Sequence, residues 1–158
     1  MSFQTASVSE SKVVNVPELS PALENFEKLG QFALEKGINL VVPGPEQPLI
    51  DGVSEVFRKI GIPVFGPSYK AADFEGSKTV SKNFMAKHNI PTADYASFSD
   101  YEEAKKYLDV VNHDVVVKAD GVAAGKGVLI PTTKQEAHDA LKTVMVESQF
   151  GSAGDSVV

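Results

Sequence analysis

The 158-residue chain has no cysteine, so disulfides and thiolate metal sites are excluded. It has no excess of positive charge: 15 Lys and Arg stand against 21 Asp and Glu, a net charge of -6 with a pI near 5.0. That balance argues against a nucleic-acid or anionic-membrane partner, although basic residues can still gather locally around a small phosphorylated ligand. No apolar run approaches the ~18 residues of a membrane span. The opening MSFQTASVSE lacks the apolar stretch of a secretory signal. These absences make the cytosol the expected location. With 42% hydrophobic residues, the chain can build a real core, but it is too short for two full-sized domains.

Residues 1–12 read as a loose polar tail, with order expected from about Val13. Ser20-Pro21 has the form of an N-cap and first helical position. Leu23, Phe26, Leu29 and Ala33 follow at helical spacing, and Gly37 supplies the stop. The short apolar run 38–42 (INLVV) predicts a buried strand in a parallel sheet covered on both faces. Leu49, Val53, Val56, Phe57 and Ile60 mark a second helix ending at Gly61, and 62–65 (IPVF) a second strand. This alternation predicts a doubly wound α/β sheet.

The pattern then changes. Residues 77–88 form a helix with Val80, Phe84 and Met85 on one face, followed by a turn-rich crossover, NIPTADYASF. Ser99 with Glu102 and Thr133 with Glu136 are capping-box pairs, opening helices through Val111 and about Val146. Between these helices, two strand-like runs, 115–119 and 128–130, flank DGVAAGKG, which reads as a hairpin with a glycine-bearing tip.

That hairpin is not a Walker A loop, which must open a helix. Its Gly121 and Gly125 have three residues between them rather than four, and Lys126 is followed by Gly127 instead of Ser or Thr. A G-x-G-x-x-G fingerprint does not occur. Phosphate chemistry is still within its reach: Gly121, Gly125 and Gly127 permit close backbone approach, while Lys118 and Lys126 supply positive charge. On composition alone an ordinary hairpin with surface lysines fits equally well.

Two further segments lie at strand ends, where open α/β sheets bind ligands. VVPGPEQPLIDG (41–52) places Gly44 and Glu46 there, though a plain strand-to-helix connection punctuated by Pro48 explains it too. FGPSYKAADFEGSK (65–78) puts Lys78 near a helix start, where its stem can reach a neighbouring phosphate; a lone lysine there is usually only solvated.

In order, PGPEQPLIDG, GIPVFGPSYKAADFEGSK, NFMAKHNIPTA, VVVKADGVAAGKGV and QFGSAGDSVV closely resemble the phosphoribosylamine-glycine ligases (glycinamide ribonucleotide synthetases), ATP-grasp enzymes of purine biosynthesis. The resemblance covers roughly residues 13–158. It implies a reaction in which ATP phosphorylates the glycine carboxylate and the amine of 5-phosphoribosylamine displaces the phosphate, with Mg²⁺ bridging nucleotide oxygens. Lys78 and Lys118 match the family lysines on the ATP phosphates. Residues 119–127, with Asp120, Gly121, Gly125, Lys126 and Gly127, match the mobile loop over them. Gly44, Pro45 and Glu46 match a loop near the phosphoribosylamine.

The resemblance also implies a division: the later part of the N-terminal substrate domain over 13–75, a linking helix and crossover over 76–98, and part of the ATP-grasp α+β small subdomain over 99–158. The family's opening strand with a G-x-G-x-R-E-H turn has no counterpart here. Neither do its later V-I-E-E-F strand and Mg²⁺ ligands. The sequence therefore reads as an internal fragment, expected to be inactive alone and to self-associate through exposed strand edges. Competing expectations are a noncatalytic nucleotide-binding or interaction fragment and, more distantly, another ATP-grasp ligase or carboxylase. His88, His113 and His138 show no metal-ligand spacing. Tyr69 and Tyr95 read as packing residues and Asp120 as a turn former.

Overall fold

The computed structural model describes residues 15–17, 19, 20 and 22–158, except the side chain of Leu23. The tail expected over 1–12, the onset of order at Val13 and the proline of the Ser20-Pro21 start lie outside them.

A 3-10 turn over Leu23–Asn25 leads into α1 (Phe26–Glu35). The helix start expected at Ser20 is displaced to Asn25, whose side-chain amide donates to the Ser20 carbonyl at 3.2 Å instead of capping the helix. The single helix expected next is two: α2 (Glu46–Ile50) and α3 (Val53–Lys59). Gly52 separates them at φ +94°, a left-handed conformation that ends helical propagation and turns the chain. Phe26, Ala33, Val53, Phe57 and Ile62 form the core of this half, with Val41, Leu49 and Val64 against it.

The expected parallel pairing is present but reduced to one bridge, Val41 with Val64, through Val41 N–H to Pro63 O (2.9 Å) and Phe65 N–H to Val41 O (2.8 Å). The expectation that 38–42 is buried on both faces is not met: Leu40, Val42 and Phe65 are 56%, 62% and 74% exposed. No third strand lies beside these two among the described residues, so their alternate side chains have nothing to pack on.

Two helices follow in direct succession, α4 (Tyr69–Gly76) and α5 (Lys78–Lys87). Sequence reading missed α4, although Ser68 after Pro67 carries its N-cap signature and accepts from Ala71 N–H. Phe74 meets Phe84 edge-on, with ring centroids 4.7 Å apart. Tyr69, expected to pack, is exposed. Tyr95 is half-buried, donating to Asn83 Oδ1 at 2.7 Å.

The second half contains α6 (Tyr101–Val110), the antiparallel strands β1 (Val117–Lys118) and β2 (Val128–Leu129), α7 (Lys134–Met145) and a 3-10 turn over Gly151–Gly154. Val117 pairs with Leu129 and Lys118 with Val128, so the expected hairpin forms. Val157 bridges both Phe98 and Ala119, extending the ladder across two further segments. Packing of α6 on α7 over this sheet buries Ala104, Leu108, Val117, Ala119, Leu141, Val144 and Val157. Each large aliphatic side chain so buried contributes about 1.5–3 kcal/mol.

The cap of α6 is one residue later than Ser99. Asp100, in extended conformation, accepts from Glu103 N–H at 2.9 Å. At α7 the expected Thr133 cap is present, accepting from Glu136 N–H at 3.1 Å, but the carboxylate of Glu136 reaches back to Thr132 rather than to Thr133.

Candidate phosphate-binding site

The site is assembled where the start of α5 meets the end of β1. Ser77 closes α4 and opens α5: its N–H donates to Asp73 O at 2.9 Å, and its Oγ accepts from Val80 N–H at 3.1 Å. The next residue, Lys78, therefore leaves the helix at its first position. Its Nζ donates to the carbonyls of Gly121 (3.0 Å) and Asp120 (3.3 Å), the residues at which β1 passes into the glycine loop.

Lys118 lies two residues before Asp120, at the end of β1, with its N–H and C=O paired to Val158 at 2.9 Å each. Burial pushes the Lys78 ammonium below its usual 10.5, the charge of Lys118 pushes the same way, and Asp120 and Glu75 oppose them. Lys118 repels the partly desolvated Lys78, while Asp120 and Glu75 offset that effect. An anion would relieve that repulsion.

The loop of the hairpin is shaped by close contacts. A Cβ on Gly121 would lie 2.8 Å from Ala153 Cα, and one on Gly127 2.6 Å from Ala123 Cβ, so neither position has room for a side chain. At the tip, Ala124 (φ +48°) and Gly125 (φ +75°) are both left-handed, and Lys126 N–H donates to Ala123 O at 2.9 Å. Two positive φ values closed by such a bond are the pattern of a type I′ hairpin turn. Residues 124–126 are exposed, so Lys126 stands at the rim.

Asp120 is not a local turn former. Its Oδ1 accepts from Thr79 N–H at 2.6 Å, and its Oδ2 from Ser77 Oγ at 2.9 Å and Ser156 Oγ at 3.4 Å. Sequence reading missed Ser77, Thr79 and Ser156 as members of this cluster. Ser77 carried a usable signal, a serine directly before a helix; Thr79 and Ser156 carried none.

Gly44, Pro45 and Glu46 are exposed where the chain leaves the Val41 bridge to begin α2. No hydrogen bond or ion pair joins them to Lys78, Lys118 or the loop among the described residues. Pro48, expected as a punctuator, is buried within α2. His88 stacks on Phe84, His138 lies 3.0 Å from Asp109, and His113 lines an apolar cavity of about 420 Å³ between the crossover and β1. No group of three His, Asp or Glu able to hold a metal occurs among the described residues, so no residue here is assigned to Mg²⁺.

The fold has counterparts among solved structures. The biotin carboxylase domain of 2-oxoglutarate carboxylase from Hydrogenobacter thermophilus, solved with MgADP, ADP and bicarbonate, superposes with a TM-score of 0.66 at 27% identity, over 84% of this chain and 30% of that one. Phosphoribosylamine-glycine ligase from Thermotoga maritima superposes with a TM-score of 0.57 at 27% identity, over 85% and 40%. The class is thus an α/β chain of ATP-grasp architecture.

The family follows from sequence. The phosphoribosylglycinamide synthetase N domain matches residues 5–75, and the ATP-grasp (A) domain of the same synthetase matches 76–158. The chain belongs to the phosphoribosylglycinamide synthetase family. It is 59% identical over 146 residues to the bifunctional purine biosynthetic protein PUR2,5 of Pichia angusta, covering 92% of this chain and 18% of that protein. It is 48% identical over 149 residues to the phosphoribosylamine-glycine ligase of Vibrio cholerae, covering 94% of this chain and 34% of that one. The chain thus spans about a fifth to a third of the curated relatives it matches.

Proposed function

We propose that this chain supplies the phosphate-binding part of an ATP-dependent ligase that joins glycine to 5-phosphoribosylamine, giving glycinamide ribonucleotide, ADP and phosphate in purine biosynthesis. The observation that carries the reading is the Lys78 ammonium held on the Asp120 and Gly121 carbonyls where the glycine hairpin begins, near enough to Lys118 for its charge, after burial, to help lower the Lys78 pKa.

In this reading the two lysines neutralise the phosphate oxygens of ATP, and the exposed tip at residues 124 and 125 closes over them with the Lys126 side chain. Lys78 has three N–H donors. Two are directed at protein carbonyls and one is left for an external oxygen. Gly44, Pro45 and Glu46 form the candidate contact to the phosphoribosylamine, on the substrate-domain portion over 13–75. The 76–98 and 99–158 portions form the link and the partial ATP-grasp subdomain. The location proposed is the cytosol and the partners small molecules, with no nucleic acid; no described helix is long and apolar enough to cross a membrane. The nucleotide would bring its own Mg²⁺, for which no ligand is assigned here.

The test is a calorimetric titration of the 158-residue chain with Mg-ATP, with circular dichroism as the fold control. Saturable heat that is lost in a folded Lys118→Ala variant is the expected result. No heat from the folded wild-type chain would refute a self-contained phosphate site. Glycine-dependent ADP formation is expected only with the remainder of the ligase present.

A second property follows from the exposure of Leu40, Val42 and Phe65 along the single-bridge strand pair. Such an apolar edge favours self-association. Sedimentation velocity should show concentration-dependent growth in mass that Phe65→Glu reduces; a strict monomer at high concentration would count against it.

A further inference from the structure

We propose that Asp120 is a positioning residue: its carboxylate and carbonyl hold the first turn of α5, and with it the Lys78 ammonium, in fixed register with the glycine hairpin. This rests on the reading of Lys78 and the hairpin as a phosphate site.

The argument starts from the helix end. The first amides of any α-helix have no intrahelical acceptor. In α5 each has a partner. Ser77 N–H goes to Asp73 O and Val80 N–H to Ser77 Oγ, both local. Lys78 N–H goes to Asp120 O at 3.1 Å and Thr79 N–H to Asp120 Oδ1 at 2.6 Å, both from a residue more than forty positions away. Half of the helix end is therefore satisfied by one distant aspartate. Its negative charge also suits the positive end of the helix dipole.

The rest of Asp120 is equally committed. Its Oδ2 accepts from Ser77 Oγ and Ser156 Oγ, and its own N–H donates to Ser156 O at 3.0 Å. Three separate segments, 77–79, 120–121 and 156, are thereby joined at one side chain. The Lys78 Nζ then closes back onto the carbonyls of Asp120 and Gly121. A shift of α5 along its axis would break this set together, displacing the ammonium from the hairpin mouth.

This resolves an objection to an acidic residue in a phosphate site. A free carboxylate beside Lys78 would repel an incoming phosphate. Here both carboxylate oxygens are occupied by N–H and O–H donors, so Asp120 orients the cation without presenting a bare anion to the ligand.

The experiment is amide hydrogen exchange by NMR on the 158-residue chain, with Mg-ATP titration on the same samples. In Asp120→Ala, the amides of Lys78, Thr79 and residues 121–127 should exchange at least about tenfold faster, while Leu141 and Val144 in the core keep wild-type rates. Asp120→Asn, whose amide oxygen can still accept from Thr79 N–H, should recover most of the protection. Uniform acceleration across the chain, or an unchanged Thr79, would overturn the proposal. Because Asp120→Ala could fail to fold, the wild-type chain provides a second arm: the Thr79 amide proton should titrate with the same midpoint as the Asp120 carboxyl carbon. A Thr79 amide insensitive to that titration would also overturn it.

The nucleotide arm is a double-mutant cycle. Asp120→Ala should weaken Mg-ATP binding by roughly three- to tenfold alone and by less than about twofold in a Lys78→Met background, because it acts through Lys78, whereas Asp120→Asn should lose less. Additive losses would refute that route. If the wild-type chain binds no Mg-ATP, the phosphate-site reading fails, while exchange and titration still decide whether Asp120 ties helix to hairpin.

Discussion

Ser77 Oγ donates to Asp120 Oδ2 at 2.9 Å across 43 positions of sequence. The serine is at once the C-cap of α4 and the N-cap of α5, and the aspartate lies two residues past β1. One hydrogen bond therefore ties the helical linker to the hairpin, and the chemistry expected of Lys78 depends on this junction.

The ionisation of Lys78 reports on the junction directly. Its pKa lies below 10.5, chiefly because of burial, with Lys118 adding to the effect. Titration of the Lys78 Cε resonances should give a midpoint below that of the exposed lysines. Lys118→Met should move it up, and so should a bound anion. Since the folded state binds fewer protons between the two values, stability should rise with pH through that window and be lost again as pH falls through the folded value. A Lys78 midpoint indistinguishable from the other lysines would show that the ammonium is not held as described.

Acid stability has a local signature at α7. Hydrogen bonds from Thr132 N–H and Oγ hold the Glu136 carboxyl below its ordinary 4.5. A lowered acid pKa contributes stability above the unfolded value, and that contribution is lost as pH falls through the folded one. The Glu136 carboxyl carbon should titrate below the other glutamates, and Thr132→Ala should move it part of the way back. An unmoved midpoint in that variant would leave the side-chain bond without effect.

Ala124 occupies a left-handed conformation at φ +48° in the hairpin tip. A side chain there costs on the order of 1 kcal/mol, partly offset by the greater entropy glycine loses on folding. Ala124→Gly is expected to raise the unfolding free energy measured in urea slightly, by up to ~1 kcal/mol, whereas Gly125→Ala, at φ +75°, should lower it by a similar amount. A destabilising Ala124→Gly together with a neutral Gly125→Ala would mean the tip does not hold two successive positive φ values.

Ser54 is fully buried in α3, and its Oγ has no hydrogen-bond partner among the described residues. Burying an unpaired hydroxyl costs about 1–3 kcal/mol, and alanine removes only that atom. Ser54→Ala should therefore be neutral or stabilising in thermal unfolding. By contrast, Leu141→Ala in the second core, where Leu141 is 2% exposed, should cost about 2–5 kcal/mol. Clear destabilisation by Ser54→Ala would point to a partner for that hydroxyl.

Features governed by neighbours within a turn or two were legible from residue order. The α7 cap at Thr133, the stop after α1 and the hairpin around DGVAAGKG all formed as expected. Small displacements arose where two residues compete for one role: Asp100 takes the cap from Ser99, and Asn25 closes a 3-10 turn before α1 begins. The break at Gly52 was lost in a continuous apolar periodicity, and α4 was hidden in a segment read only for its lysine.

The sequence by itself determined the α/β character, the family and the lysines and glycines of the candidate site, because these rest on residue type, spacing and order. Only the tertiary structure decided that Asp120 caps a distant helix, that Lys78 folds back onto the Asp120 and Gly121 carbonyls, and that Leu40, Val42 and Phe65 stay exposed. The reason is the range of the interactions. A cap or a turn is satisfied within about four residues, whereas each of these outcomes depends on which distant segment comes to lie alongside, or on whether any does.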